Sequence, residues 1–447
     1  MISITSSPIV VGFSYAFRKL RRSIPHTENL HAPMNEHEFS KRHLELSRRY
    51  FLRIAGAGAL GLSLGELSAE VVNAELKKLI GELTYLTPSD NFRNVERHRP
   101  LPYKRPLEQR LELGLERETW KLDIIADPDS DSKLGNPLTR AGGNAFDFPA
   151  LMEMAKTKAV RFFKVMTCNN LADPLGMGLW EGVPLRDVIW KAHPESNIRR
   201  LFYRGYHNDN PKQIFQSSLP IGRVLEDPPG ELPVILCYKM NGKLLTGERG
   251  GPVRMIVPDA YGFKSVKWIQ QIFLTNLQGA NDTYAEKNND VDSKMKSFAR
   301  FFTKPKAQRA GNPIPLIGIA QSGMSGLSKV QYWLHDTKDH LPTADRYFNK
   351  APWVDAEILL PPETWNMFPD GKLPPIKNQV DAQGNFIAWP PPNTIAHWAA
   401  LLPAPKPGKY ELRCRAVDAN GFAQPMPRPF KKSGGNAIQM VPVRIFA

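Results

Sequence analysis

Cysteine is scarce, at three residues in 447. Three thiols cannot build a disulfide framework, so a packed core must hold the chain. There is no Cys-x-x-Cys-His haem site, no zinc-finger spacing and no aromatic-basic ribonucleoprotein motif. Those absences remove a covalent haem and the common zinc and RNA-binding modules. No Lys/Arg block exceeds four residues, so the net charge of +15 is spread along the chain. A dispersed basic surface speaks against nucleic acid; it is either plain solvated charge or a means of steering an anionic substrate or acidic partner.

What is present points to a loop-rich α+β or β protein. Forty prolines cluster between apolar runs, and 447 residues are too many for one core, so two domains plus a leader are expected. Residues 1–76 read as that leader. Ser47-Arg48-Arg49-Tyr50-Phe51-Leu52 precedes a Gly- and Ala-rich apolar stretch from Ile54. That stretch covers about 14 residues, or roughly 20 Å as a helix, too short for a bilayer core. It resembles a twin-arginine export signal, which carries proteins already folded, and implies a periplasmic or otherwise exported protein. Met34 is an alternative start, because it gives a leader of ordinary length.

The three cysteines differ in setting. Cys237, in Val234-Ile235-Leu236-Cys237-Tyr238, and Cys414, in an alternating segment, read as small core residues. Cys168 closes the strand pattern Val160 to Cys168 and is followed by Asn169-Asn170. A strand is expected over Thr119–Ile125, a short helix over Phe148–Met154, and a turn into a helix over Trp180–Ile189.

Three blocks resemble one family. The first is a strand ending in Cys168-x-Asn170, a Gly-containing loop and Trp180-x-Gly182-Val183-x-Leu185. The second is Met240-Asn241-Gly242, then Arg249-Gly250-x-Pro252-x-Arg254. The third is Gly262 followed by Val266-Lys267-Trp268. In this order they resemble the sulfite oxidase family, which includes sulfite oxidases, plant-type nitrate reductases, sulfane dehydrogenases and a methionine-sulfoxide reductase subunit. The resemblance implies a mixed α/β molybdopterin domain over residues 80–295 and a molybdenum-molybdopterin cofactor. Cys168 would be its thiolate ligand and catalytic residue; a soft anionic thiolate suits such a metal. It also implies Asn91, Phe92, Arg97, His98, Arg249, Arg254, Ser265, Val266 and Lys267 as cofactor-binding residues. Arg254 and Lys267 would face the pterin phosphate, with backbone amides between Gly262 and Val266 close by.

Residues 305–447 show short alternating strands, among them Pro407-Gly408-Lys409-Tyr410 to Asp418-Ala419-Asn420-Gly421. They resemble the family's immunoglobulin-like β-sandwich, which implies a homodimer. The Asn/Pro-rich stretch 336–395 reads as an insertion without an assigned role. The implied activity is oxidation of a small sulfur-containing substrate or oxyanion, with electrons passed to an external cytochrome c-type acceptor. The alternatives are a reductase of the same family, for a sulfoxide or nitrate, and a non-catalytic secreted member. The chain departs from the family where substrate arginines are expected, with Glu96 and Asp173, and where a histidine is expected, with Arg249. Tyr284 is off the spacing of the family's active-site tyrosine. Two acids in place of cations predict that sulfite is a poor substrate.

Overall fold

The computed structural model describes residues 74–447, apart from 96–98, 171–172, 207–209, 211–213, 281–288 and 342–343. The leader with Arg48 and Arg49, and Glu96, Arg97, His98 and Tyr284, lie outside the described residues. Those described belong to one compact unit.

Strands dominate. One mixed sheet has the order β2 (Phe146–Asp147), β1 (Lys121–Ala126), β10 (Ile269–Thr275), β5 (Arg200–Gly205), β6 (Gln216–Pro220), with β1 and β10 parallel. The second runs β3 (Val160–Met166), β4 (Gly176–Pro184), β7 (Ile235–Met240), β8 (Lys243–Leu244), and β9 (Arg254–Ile256) pairs with β7. The third has the order β11 (Phe298–Phe301), β13 (Ile314–Gln321), β16 (Ile395–Leu402), β15 (Val354–Ile358), β14 (Lys329–Asp336), β17 (Gly408–Val417), β18 (Gln439–Phe446), β12 (Ala307–Arg309). Residues of β11, β13 and β16 share one apolar core with residues of β14, β17 and β18, so this sheet folds over on itself.

The local reasons are plain in the residues. The expected helix is Phe148–Lys158, four residues longer than foreseen; Asp147 caps it by accepting from the Ala150 N–H at 2.9 Å. The expected turn at Trp180 to Pro184 is instead the end of β4, in which every residue is buried. Its glycines misled the sequence pattern: Gly176 lies so close to Phe92 that a Cβ there would meet the ring at 2.6 Å. β3 and β4 are buried on both faces. Phe162, Met166 and Trp180 pack into one cluster with Phe92, while Phe163, Val165 and Leu179 pack into another that includes Ile319, Trp365 and Ile395. That second cluster joins the cysteine-bearing sheet to the all-β part of the chain. Cys237 and Cys414 are fully buried, and burial pushes the Cys237 thiol up to about 12, as expected of core residues.

Candidate functional site

Cys168 lies two residues beyond β3, partly exposed, against the cluster of Phe92, Met166, Leu175 and Trp180. Its backbone position is pinned through Thr167. The Gly262 N–H donates to Thr167 O at 2.7 Å, and Thr167 Oγ1 donates to Gln321 Oε1 of β13 at 2.5 Å. Gly262 comes close because it has no side chain; a Cβ there would meet the Met166 sulfur at 3.0 Å. Next to the cysteine, Asn169 is 4% exposed, and neither its Oδ1 nor its Nδ2 has a partner among the described residues. A buried primary amide with both ends unpaired is costly unless something else satisfies it.

Two buried arginines stand on the same aromatic floor. The Arg249 guanidinium lies 5.5 Å from the Phe92 ring centre, and that of Arg254 lies 5.3 Å from Trp180. Arg249 donates to Phe92 O at 2.8 Å and pairs with Glu248 at 3.0 Å. Arg254 donates to Arg249 O at 2.9 Å and to Ser265 O at 2.7 Å. No carboxylate pairs with Arg254 among the described residues. Burial, eased by Cys237 and reinforced by Arg249, brings its pKa down to about 10. Among the described residues, the Nε atoms of both arginines are buried without a partner. Lys267 Nζ donates to Asn94 Oδ1, and to Glu248 O at 2.8 Å. Trp268, the next residue, has a left-handed backbone at φ 52° and donates its indole N–H to Gly247 O at 2.7 Å. That strained turn fixes the direction in which Lys267 leaves the chain.

Buried cation density, few acids and unpaired donors at Asn169, Arg249 and Arg254 suit an anionic, donor- and acceptor-rich group beside a thiol. The residues therefore fit a pterin phosphate cofactor held at Cys168. Phe92, Arg249, Arg254, Ser265 and Lys267, all foreseen, are linked by these contacts. Ser265 is buried, and its Oγ accepts from the Val257 N–H at 3.2 Å. Val266 is buried, with its carbonyl accepting from Met255 N–H. Asn91 is exposed at the end of a short 3₁₀ turn, Ser89–Asn91. One expectation is corrected: the amides of Gly262, Lys264 and Ser265 are spent on Thr167, Tyr261 and Gly262 carbonyls, so this turn does not offer them to a phosphate.

Some participants had not been foreseen. Asn94 connects Lys267 to Glu248, donating to Glu248 Oε1 at 3.2 Å. Lys164, four residues before the cysteine, is wholly buried, and among the described residues its Nζ bonds to Val165 O, Ala260 O and the Met295 sulfur. Asn169 was visible in the Cys-x-Asn block as the residue between its two named positions. Gln321 carries no local signal, because its role depends on a contact 154 residues away.

Comparison with known proteins bears on the cofactor. Residues 116–283 match the family model described as an oxidoreductase molybdopterin binding domain. The chain is 29% identical over 214 residues to the mitochondrial sulfite oxidase of Drosophila melanogaster, covering 47% of this chain and 34% of that one. It is 34% identical over 108 residues to an NADH nitrate reductase of Volvox carteri, covering 23% and 12%. Among solved structures, the sulfane dehydrogenase SoxCD from Paracoccus pantotrophus aligns over 73% of this chain and 76% of its own, at 17% identity and a TM-score of 0.49. The chain spans about a third of the length of the sulfite oxidases it matches. Residues 116–283 thus match an oxidoreductase molybdopterin-binding domain, and this chain is similar over that region to sulfite oxidases.

Proposed function

We propose that Cys168 is the protein's thiolate ligand to a molybdenum–molybdopterin. The observation that carries this reading is the partly exposed thiol beside the unpaired Asn169 amide, on the floor shared with Arg249 and Arg254. When bound, the cofactor supplies a two-electron redox centre. The chain's own residues do the rest. Arg254 and Lys267 present cations to its phosphate, with Arg97 and His98 assigned nearby by resemblance. Asn91, Phe92, Arg249, Ser265 and Val266 line the pterin. Asn169 offers one donor group and one acceptor to its ring edge.

The substrate class is a small sulfur-containing molecule, oxidised by two electrons with one oxygen drawn from water and two protons released. The electrons pass to an external cytochrome c-type acceptor. The all-β part, 305–447, is read as an immunoglobulin-like dimerisation domain, and the protein as exported to the periplasm. A second reading, favoured by similarity to a nitrate reductase, is a reductase for nitrate or a sulfoxide. Metal and pterin analysis of the purified protein, followed by turnover with sulfite, sulfane sulfur, nitrate and methionine sulfoxide, tests both. Folded protein that carries no molybdenum after expression with an active cofactor pathway would overturn both and leave the non-catalytic alternative.

A further inference from the structure

The stretch between β14 and β16, without a role from sequence, covers the cysteine-bearing strand. Among the described residues β3 pairs with β4 alone, so its outer edge faces away from the sheet. Arg161 O on that edge accepts from the Lys377 N–H at 2.7 Å. The Phe163 N–H donates to Gln379 Oε1 at 2.7 Å, and Phe163 O accepts from Gln379 Nε2 at 2.9 Å. The Val165 N–H donates to Asn393 O at 2.9 Å, and Val165 O accepts from Lys164 Nζ at 3.2 Å. Then comes Thr167, held by Gly262 and Gln321. One side-chain amide thus replaces a neighbouring strand at Phe163, with Gln379 3% exposed. Trp365 and Phe386 stack on Phe163 at 5.4 and 5.9 Å and close the layer over it.

We propose that residues 376–393 form a strap that sets the position of Cys168, with Gln379 as its positioning residue. The inference rests on the reading of Cys168 as the metal's thiolate ligand. An edge strand with unpaired amides frays from its end, and Cys168 sits just beyond that end. Gln379 holds both polar groups of Phe163, so β3 enters Thr167-Cys168 from one fixed register. Among the described residues no hydrogen bond links the Gln379 side chain to the thiol or to Arg249 and Arg254, so its effect on them passes through the strand.

The test uses the full chain carrying Gln379→Ala, prepared without cofactor. The readouts are hydrogen exchange at the Phe163 amide and alkylation of Cys168 by iodoacetamide; Cys237 and Cys414 are buried and serve as internal controls. Two buried hydrogen bonds are lost, so both rates are expected to rise about tenfold. Molybdenum content after expression with the cofactor pathway should fall several-fold. Gln379→Asn keeps a neutral amide one methylene shorter and is expected to fall between parent and Ala variant; it carries the same measurement if the Ala variant does not fold. Faster exchange at Phe163 with Cys168 alkylation unchanged would overturn the proposal, leaving the strap as a mere edge cover. Full molybdenum in Cys168→Ser would instead overturn the ligand reading, whatever Gln379 does.

Discussion

Asp173, five residues past the cysteine, faces Arg300 of β11, with its carboxylate 3.9 Å from the guanidinium Nε. Arg300 is 6% exposed and donates to Ala299 O and Ala437 O, whereas Asp173 is largely exposed. The acid in place of a family arginine is therefore partly offset by a cation from the all-β part. Sulfite is still expected to be a weak substrate. Asp173→Asn leaves Arg300 unopposed and should lower the Michaelis constant for sulfite by roughly tenfold or less, given solvent screening. Steady-state kinetics decides: a micromolar constant in the parent protein, unchanged in the variant, would show that Asp173 does not bear on the substrate.

Cys168→Ser should leave circular dichroism and melting temperature close to the parent, because the thiol is only partly buried and packs at the edge of its cluster. Activity and molybdenum content should both collapse. Metal analysis beside turnover reads the result, and near-parental turnover is the contrary outcome.

Arg254→Ala should yield mostly cofactor-free protein. The variant loses a buried cation and leaves Arg249 O and Ser265 O without their donor. Charge-assisted bonds contribute about 1.5–3 kcal/mol each, so pterin occupancy should drop at least tenfold. Arg254→Lys keeps charge but not the two-pronged geometry and should recover only part. Released pterin, measured by fluorescence after oxidation, checks both variants.

Lys164 should show its burial in the pH dependence of stability. Burial, and then the nearby Arg254, bring its pKa from 10.5 to about 7. The unfolded chain thus holds a proton that the folded chain has released between those values. The cost of burying this lysine is full below about pH 7 and fades as pH rises toward 10.5. Lys164→Met should stabilise the cofactor-free protein by roughly 2–4 kcal/mol near neutrality, after allowing for the lost hydrogen bonds. The gain should shrink steadily by pH 10. Denaturant midpoints at pH 6, 8 and 10 measure it, and a gain that grows with pH would contradict the argument.

Replacing Arg48 and Arg49 together with Lys should leave folded, cofactor-loaded protein in the cytoplasm. Fractionation of expressing cells checks this, and undiminished export would refute the twin-arginine assignment.

Much of the candidate site is readable in sequence because its residues sit in short, ordered blocks. Cys168 at a strand end, Arg254 and Lys267 were each found within a few residues of their motif neighbours. What was not readable depended on distance along the chain. The Gly-rich run from Gly176 looked like a loop, yet its glycines are there because Phe92 and Leu236 press against the backbone of β4. Thr167 relies on Gln321, Phe163 on Gln379 and Asp173 on Arg300, contacts between distant segments that no local pattern marks. The amides from Gly262 to Val266 are expected to come close to the phosphate because the turn bears a glycine; here Thr167, Tyr261 and Gly262 carbonyls claim those of Gly262, Lys264 and Ser265.

The separation of 216 residues between Phe163 and Gln379 also has a meaning in time. A ribosome adding about 5–20 residues per second needs roughly 10–40 s to deliver Gln379 after Phe163 has emerged. For that interval the cysteine strand exists with a bare, adhesive border, open to pairing with any other extended segment nearby. On the proposal that Cys168 holds the metal, loading therefore belongs to the finished polypeptide rather than to the nascent one. A truncated chain ending before the strap is expected to precipitate before it could ever be loaded.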